Sequence, residues 1–229
     1  MSPVVVLFKL FFQELCKKKI GWDEILEGEL RKKWERIVSG LQNVEPLILP
    51  RCYLFGNPNS ISPYTAHGFC DSSKRAYAAV VYLCVNTTCG RYVKFLASKT
   101  RVAPVAQQSI PRLELLSPLI LAVTTVVNVL QDEFDIADTV CWTDSKVALF
   151  WITVCEIRKL VPPKHWRHCH GTENPANIPS RGMTASELSQ VREWREGPEW
   201  LSKSEEPRCV RHDSDDMPAE CITEIKAID

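Results

Sequence analysis

Three acidic residues occupy positions where a purely structural carboxylate would be costly. Asp71 ends one apolar stretch, Asp144 ends the short segment TVCWTD, and Glu114 opens a long apolar segment. Burying an ionised carboxylate beside such residues is unfavourable unless it is paired or binds a metal ion. Three convergent oxygen ligands would suit Mg²⁺ or Mn²⁺. Two such ions about 4 Å apart can activate a water molecule and stabilise the leaving oxygen of a phosphodiester.

An ordinary structural role for the same acids stays open at this point. Asp71 precedes two serines, as a turn residue would, and Asp144 with Ser145 could N-cap the helix that follows. The spacing of the three acids alone therefore does not choose between a metal site and three separate caps or turns.

The elements that would position these acids follow from the hydrophobic pattern. Strands are predicted over residues 67–73, 76–85, 91–100, 138–144 and 166–170, and helices over about 111–131, 145–152 and 184–195, with a turn over 171–177. This order predicts an α/β fold with a mixed sheet flanked by helices, because each crossover must pack back on the sheet with right-handed topology. If the first and fourth strands are neighbours, Asp71 and Asp144 meet at one edge, and the intervening helix can bring Glu114 to the same place.

The chain divides into three zones. Residues 1–46 have the periodicity of one or two helices and are too few for a core of their own. Residues 47–201 contain the predicted sheet, and residues 202–229 form a polar, acidic tail that we expect to be disordered.

Composition excludes several classes of protein. The 229 residues are 45% hydrophobic and 24% charged, which is ordinary for a globular chain and argues against collagen-like or coiled-coil structure. The 28 basic residues balance the 28 acidic ones, so a generally basic nucleic-acid binder is not expected, although local basic patches remain possible.

The cysteines and the apolar segments bear on the compartment. None of the ten cysteines forms a C-x-x-C pair, and most lie in apolar runs where a thiol behaves as a small core residue. The first residues lack a signal-peptide cleavage pattern, and the uncharged segment 115–131 is shorter than the roughly 20 apolar residues of a membrane span. We therefore expect an intracellular protein of the cytoplasm or nucleus, with no membrane partner.

A cluster of imidazoles and one thiol suggests zinc at first sight. It comprises His165, His168, Cys169 and His170, but a closed zinc site needs a second ligand pair at suitable spacing, and the sequence offers none. An exposed strand with alternating side chains is the simpler interpretation.

Five basic residues surround the proposed site elements in sequence. They are Lys94, Lys99, Arg101, Arg112 and Lys146. They could contact backbone phosphates along a groove. A solvated strand edge, protected from aggregation by its lysines, is the alternative.

At these residues the sequence resembles a known family. The segments HGFCDSSKRAYAAVVY, LASKTRVAP, IPRLELL, CWTDSKVALFWI, WRHCHGTENPANIPSRG and GPEWL are similar to the polyprotein of Bel/Pao-type retrotransposons, in the ribonuclease H-like region that follows the reverse transcriptase. The similarity runs from about residue 2 to 201. The opening segment is similar to the stretch that joins the polymerase to this region, which implies that residue 1 lies within a larger polyprotein.

The resemblance implies a fold, a reaction and a set of residues. The fold would be a five-stranded mixed sheet of the ribonuclease H type, with Asp71, Glu114 and Asp144 as catalytic and metal-binding carboxylates for two Mg²⁺ or Mn²⁺ ions. The substrate would be the RNA strand of an RNA–DNA hybrid, and the partners would be the adjacent reverse transcriptase and integrase domains. His168 would match a histidine that some of these enzymes use for proton transfer.

The sequence departs from the family pattern at three places. Asn177 stands where the related turn carries an aspartate, so one ion should bind weakly. Pro118 follows Glu114 by four residues and cannot donate the hydrogen bond that the Glu114 carbonyl would accept in a helix. The region around residues 152–156 is about a dozen residues shorter than in relatives, which removes part of the side that would guide substrate.

Two other functions remain as alternatives. The three departures would equally suit a catalytically inactive nucleic-acid-binding or structural remnant of a polyprotein. An aspartic peptidase is suggested only by the label Pao retrotransposon peptidase that the family often carries. A retroviral-type peptidase needs Asp-Thr/Ser-Gly, and the nearest segments here are Asp71-Ser72-Ser73 and Asp144-Ser145-Lys146.

Overall fold

A computed structural model describes residues 1–42, 44, 63–106, 109–124, 136–154, 159 and 161–203. The strands are β1 (Tyr64–Ser72), β2 (Ala76–Thr87), β3 (Gly90–Val102), β4 (Ile136–Thr143) and β5 (Trp166–His168). The helices are α1 (Ser2–Lys17), α2 (Gly28–Ser39), α3 (Ile110–Thr124), α4 (Lys146–Val154), α5 (Asn177–Arg181), α6 (Ala185–Gln190), α7 (Arg192–Glu196) and α8 (Glu199–Ser202). Short 3₁₀ turns cover Pro163–His165 and Gly171–Glu173.

The five strands form one sheet in the order β3-β2-β1-β4-β5. The first three strands are antiparallel to one another, and β4 runs parallel to both β1 and β5. Residues 76–85 of β2 are buried without alternation, because side chains on both faces of the sheet are covered. The prediction of an α/β fold with a five-stranded mixed sheet is confirmed.

Each face of the sheet has its own core. Helices α3 and α4 cover one face, where Leu121 and Ile152 pack with Cys70 and Ala79. Helix α1 and the C-terminal helices cover the other, where Val4 joins a cluster of large side chains that includes Phe69, Tyr82, Trp142, Trp194 and Leu201. The N-terminal helix is therefore part of the same packed body as the sheet.

Helix α3 approaches β1 closely, and two local features allow it. A Cβ added to Gly68 would lie 2.7 Å from Leu121 Cδ1, so only glycine permits this contact without rearrangement. The helix continues through Pro118, where the missing amide would leave the Glu114 carbonyl without its usual donor. The Ser117 hydroxyl donates to that carbonyl at 3.1 Å instead.

Several predicted boundaries need correction. The closing helix over 184–195 is two helices, α6 and α7, because Val191 between them is extended. The last strand stops at His168, two residues earlier than predicted. The predictions for residues 125–131, for residues 155–156 and for the tail from 204 onward lie outside the described residues. No helix within the described part of the chain is long and apolar enough to span a membrane.

Candidate active site

The ends of β1 and β4 bring two of the predicted carboxylates together. The two strands are parallel neighbours, and Cys70 lies opposite Thr143, so Asp71 and Asp144 follow at the same edge of the sheet. Both side chains belong to the face that α1 and the C-terminal helices cover, because Phe69 and Trp142, two positions earlier, lie in that core. The adjacency of β1 and β4, which was the condition for the two acids to meet, is thus present in the backbone register.

Asp71 is buried, and its surroundings oppose its charge. Its side chain is 7% exposed, and burial followed by the Asp144 charge raises the pKa of Asp71 to about 6. The hydroxyl of fully buried Ser180 donates to Asp71 Oδ2, and Arg181 adds an opposing positive charge. Repulsion between neighbouring carboxylates is relieved by a proton or by a cation.

Asp144 is held by an amide from the turn before α5. Asn174 Nδ2 donates to Asp144 Oδ1 at 3.2 Å and to the Cys70 carbonyl at 2.9 Å, so one buried side chain links both strand ends. The Asn174 oxygen in turn accepts from the Ala176 amide at 3.1 Å. This arrangement fixes Asn174 and leaves Asp144 Oδ2 on the side of Gly171.

Glu114 reaches the same region from α3. Its Oε2 accepts a hydrogen bond of 2.7 Å from the Ser145 hydroxyl, next to Asp144. The same hydroxyl accepts from the Ala148 amide at 2.9 Å, so Ser145 rather than Asp144 is the N-cap of α4. The predicted capping role therefore belongs to Ser145, and Asp144 is available for another purpose.

Carboxylate oxygens are the kind of ligand that Mg²⁺ and Mn²⁺ prefer, but the three acids do not form one closed cluster. Among the described residues, no three His, Cys, Asp or Glu side chains are grouped closely enough to hold a metal ion together. Asp71 and Asp144 form a pair of hard oxygen donors whose mutual repulsion a cation would relieve. Glu114 as a third ligand stays a prediction.

Asn177 holds the turn that it ends through its side-chain amide. Its Nδ2 donates to the Gly171 carbonyl at 2.6 Å and to the Asn174 carbonyl at 3.1 Å. Its Oδ1 is buried and accepts no hydrogen bond from the part of the chain that the structure describes. An aspartate here could not make the two donations, so the turn is adapted to asparagine.

The histidine cluster does not converge. His168 Nε2 lies 3.2 Å from the Asp144 carbonyl, which makes that nitrogen the donor and places the ring beside the site. His165 Nδ1 contacts the Thr139 carbonyl at 2.8 Å, whereas His170 bonds to Thr172. Cys169 is buried in the aromatic core. Neither the proton-transfer role of His168 nor any zinc ligation is tested by these contacts.

The predicted basic residues fall into two groups. Arg112 and Lys146 are exposed near the starts of α3 and α4, two residues from Glu114 and Asp144 respectively. Lys94, Lys99 and Arg101 lie on β3, one of the two edge strands of the sheet.

A β-bulge arranges the second group. Phe95 and Ala97 lie opposite consecutive residues of β2, so Leu96 is the extra residue. The bulge puts Lys94 on the same face of the sheet as Lys99 and Arg101, which unbroken alternation would not allow.

Sequence reasoning did not single out the three residues that hold the carboxylates. Ser145, Asn174 and Ser180 each donate to a different acid, and the two strand-end acids are held by the turn and helix over residues 174–180. Their hydroxyl and amide groups within the segments TDSK and NPANIPSR were the available signal. That signal is ambiguous, since Ser and Asn are also common turn and cap residues.

The sheet order, its covering helices and the paired strand-end acids define an α/β domain of the ribonuclease H-like class. The model of the Pao retrotransposon-like RNaseH-like domain family matches residues 1–145. Since this is more than half of the chain, the protein belongs to that family, and the predicted Bel/Pao relationship is confirmed. No curated protein and no solved structure matches the chain significantly. The family match includes Asp71, Glu114 and Asp144 and ends before His168 and Asn177.

Proposed function

We propose that this retrotransposon-derived domain hydrolyses the RNA strand of an RNA–DNA hybrid with Mg²⁺ or Mn²⁺. The observation that carries the proposal is the pairing of Asp71 with Asp144 at the ends of two parallel strands, where burial and the neighbouring Asp144 charge disfavour the charged form of Asp71. The partners in this proposal are the hybrid and the reverse transcriptase and integrase domains of a parent polyprotein.

Each side chain has a distinct part in the proposal. Asp71 and Asp144 would hold a divalent cation, with Glu114 as a further ligand. When bound, such cations supply a more acidic water molecule and positive charge beside the leaving oxygen. Ser180 and Asn174 each occupy one oxygen of a strand-end carboxylate and so fix its orientation.

Residues beside the carboxylates would assist. The His168 ring, held against the Asp144 carbonyl, would lie within reach of a proton that leaves the site. Lys94, Lys99, Arg101, Arg112 and Lys146 would contact phosphates of the hybrid. Asn177 offers a neutral oxygen where the family pattern has an anion, so the second ion binds weakly and turnover is slow.

A hybrid-cleavage assay with Mg²⁺ and with Mn²⁺ tests the proposal on the wild-type chain, Asn177→Asp and Asp71→Asn. We expect slow cleavage by the wild type, faster cleavage by Asn177→Asp, and none by Asp71→Asn. Absence of cleavage by both the wild type and folded Asn177→Asp would reject nuclease activity for this chain, and cleavage surviving Asp71→Asn would reject the site.

A second candidate is a catalytically inactive nucleic-acid-binding domain. The two donations from Asn177 Nδ2 to backbone carbonyls favour it, because they show a turn built around an amide. Hybrid binding without cleavage, unchanged by Asn177→Asp, is the result that this candidate predicts.

A further inference from the structure

A pocket of about 230 Å³ lies between the two N-terminal helices and the turn that follows Asp71. Helix α1 lines it with Gln13, Glu14 and Lys17, and α2 adds Lys33. Lys74 and Arg75 complete it from the β1–β2 turn. We call it the α1–α2 pocket. The carboxylate site described above does not include any of these residues.

The α1–α2 pocket is strongly cationic. Four basic side chains face a single carboxylate, that of Glu14, which leaves a surplus of three positive charges. Lys33 is paired with Glu14. No carboxylate among the described residues forms an ion pair with Lys17, Lys74 or Arg75, and all three side chains are exposed. Such a surplus attracts a polyanion.

A second pocket, between β3 and the last two helices, has less excess positive charge. Its basic residues Arg91, Lys94, Arg192 and Lys203 face three glutamates. Two of those bases are already paired, Arg192 with Glu196 and Lys203 with Glu199. Its surplus of positive charge is therefore small, and the α1–α2 pocket is the better anion site.

Hydrogen bonds fix the α1–α2 pocket relative to the carboxylates. The Ser73 hydroxyl donates to the Ser180 carbonyl at 2.9 Å, and Ser180 in turn donates to Asp71. The Ala103 amide donates to the Arg75 carbonyl at 2.7 Å, and Gln13 donates to the Ala103 carbonyl at 2.7 Å. The turn that carries Lys74 and Arg75 is thus tied both to the site and to α1.

From this arrangement we infer that the α1–α2 pocket binds a backbone phosphate of the nucleic-acid duplex whose RNA strand lies at Asp71 and Asp144. The inference rests on the proposed function for the identity of the duplex. It gives the N-terminal helices a part in substrate binding, since Lys17 and Lys33 extend the charged surface that Lys74 and Arg75 begin.

Fluorescence anisotropy of a labelled RNA–DNA hybrid tests the inference, with the full chain in EDTA so that no cleavage occurs. The pocket variant is Lys74→Gln with Arg75→Gln. The matched control is Arg31→Gln with Lys32→Gln, which removes the same charge from exposed positions of α2 outside the pocket. We expect the pocket variant to bind roughly tenfold more weakly. The slope of its log affinity against log salt concentration should become shallower by about one, because one phosphate contact is lost, and the control should be unchanged.

Three outcomes overturn the inference. If the pocket variant and the control variant lose the same affinity for the hybrid, binding depends only on the net charge of the chain and not on the pocket. If the pocket variant binds the hybrid with wild-type affinity, the duplex contact is rejected while the proposed function stands. This holds even if NMR shows that millimolar inorganic phosphate shifts the amide resonances of Lys74 and Arg75, since the pocket would then bind free phosphate only. A wild-type chain that binds no hybrid rejects both. Pocket-dependent binding without cleavage by Asn177→Asp supports the inference and rejects the nuclease.

Discussion

Two buried titratable groups lie four residues apart on the same face of β1, and their surroundings differ sharply. His67, in the middle of the strand, accepts a hydrogen bond of 3.2 Å from Trp142 Nε1, and Arg91 Nη2 lies 3.3 Å from its other nitrogen. Burial, followed by the Arg91 charge, lowers the pKa of His67 to about 3. Asp71, at the strand end, has its pKa raised to about 6 by burial and by Asp144.

The difference agrees with a structural role for His67 and with the metal-binding role that we propose for Asp71. Both neighbours of His67 are obligatory donors, so a protonated imidazole would find no acceptor there, and the ring stays neutral inside an aromatic core. Asp71 instead lies beside a like charge at the end of its strand, and a cation can neutralise that charge. Two buried groups on one strand therefore have pKa shifts of opposite direction, because one lies beside a cation and the other beside a carboxylate.

The largest expected effect concerns cleavage, measured in the Asn177→Asp background. Removing the Asp71 charge should lower hybrid cleavage by about a thousandfold or more, because a metal ligand contributes several kcal/mol to the transition state. His67→Gln at the same strand should change the rate by less than about tenfold. Single-turnover cleavage rates check both variants. Similar losses of rate in the two would contradict different roles for Asp71 and His67.

The next effect is a pair of opposite pH dependences in the free energy of unfolding without metal. Between pH 3.8, the ordinary pKa of an aspartate, and about pH 6, Asp71 is protonated in the folded chain but ionised in the unfolded chain. Its contribution to the free energy of unfolding is therefore full below pH 3.8 and is lost as the pH rises through about 6. His67 is protonated below about pH 6.5 in the unfolded chain but only below about pH 3 in the folded chain. Its contribution to the free energy of unfolding is therefore lost as the pH falls from about 6.5 to 3. The two slopes oppose each other between about pH 4 and 6.

Single substitutions should expose each slope. Compared with the wild type, His67→Gln should lose roughly one to two kcal/mol of stability for each pH unit on going from pH 4 to 6, and Asp71→Asn should gain a similar amount. Urea denaturation at several pH values provides the measurement. Parallel curves for the wild type and both variants would contradict the assigned surroundings.

A smaller effect is expected at the turn. Asn177→Asp removes two donations to carbonyls and places an anion among them, which should cost about 1–3 kcal/mol of stability in EDTA. Mn²⁺ should restore much of the loss, because the new carboxylate can bind the ion. Thermal unfolding with and without Mn²⁺ measures this, with Asn177→Ala as the variant that no ion should rescue. Equal responses of the two variants to Mn²⁺ would argue against a ligand at this position.

The smallest effect concerns the hydroxyl that holds Asp71. Ser180→Ala removes a donor that stabilises the carboxylate, so the pKa of Asp71 should rise by roughly one unit. Carboxyl carbon NMR shifts during a pH titration report it. Ser117→Ala is the control, a buried serine whose hydroxyl donates to the Glu114 backbone carbonyl and also hydrogen-bonds with the Cys70 thiol rather than with Asp71. If the pKa of Asp71 rises as much in Ser117→Ala as in Ser180→Ala, the Ser180 hydroxyl has no specific effect on Asp71.

The strands and the mixed sheet could be predicted from the sequence, because they depend on local hydrophobic pattern. The meeting of Asp71 with Asp144 followed only on the condition that β1 and β4 are neighbours, and the folded sheet meets that condition. The family match to residues 1–145 is independent of that reasoning and agrees with it.

The groups that hold the acids could not be predicted in the same way. Ser180 lies 109 positions from Asp71, and Asn174 lies 30 from Asp144, so their hydrogen bonds exist only once the chain has folded. The bulge at Leu96 and the extended Val191 likewise depend on packing against neighbours rather than on local propensity.

The central claim is that the strand-end pair of Asp71 and Asp144 binds a divalent cation. Calorimetric titration of Mn²⁺ into the full chain at pH 7, with Asp71→Asn and His67→Gln as comparison variants, tests it most directly. We predict that the wild type and His67→Gln bind Mn²⁺ and that Asp71→Asn binds it at least tenfold more weakly. Equal Mn²⁺ affinity of Asp71→Asn and the wild type, or no binding by the wild type, would contradict it.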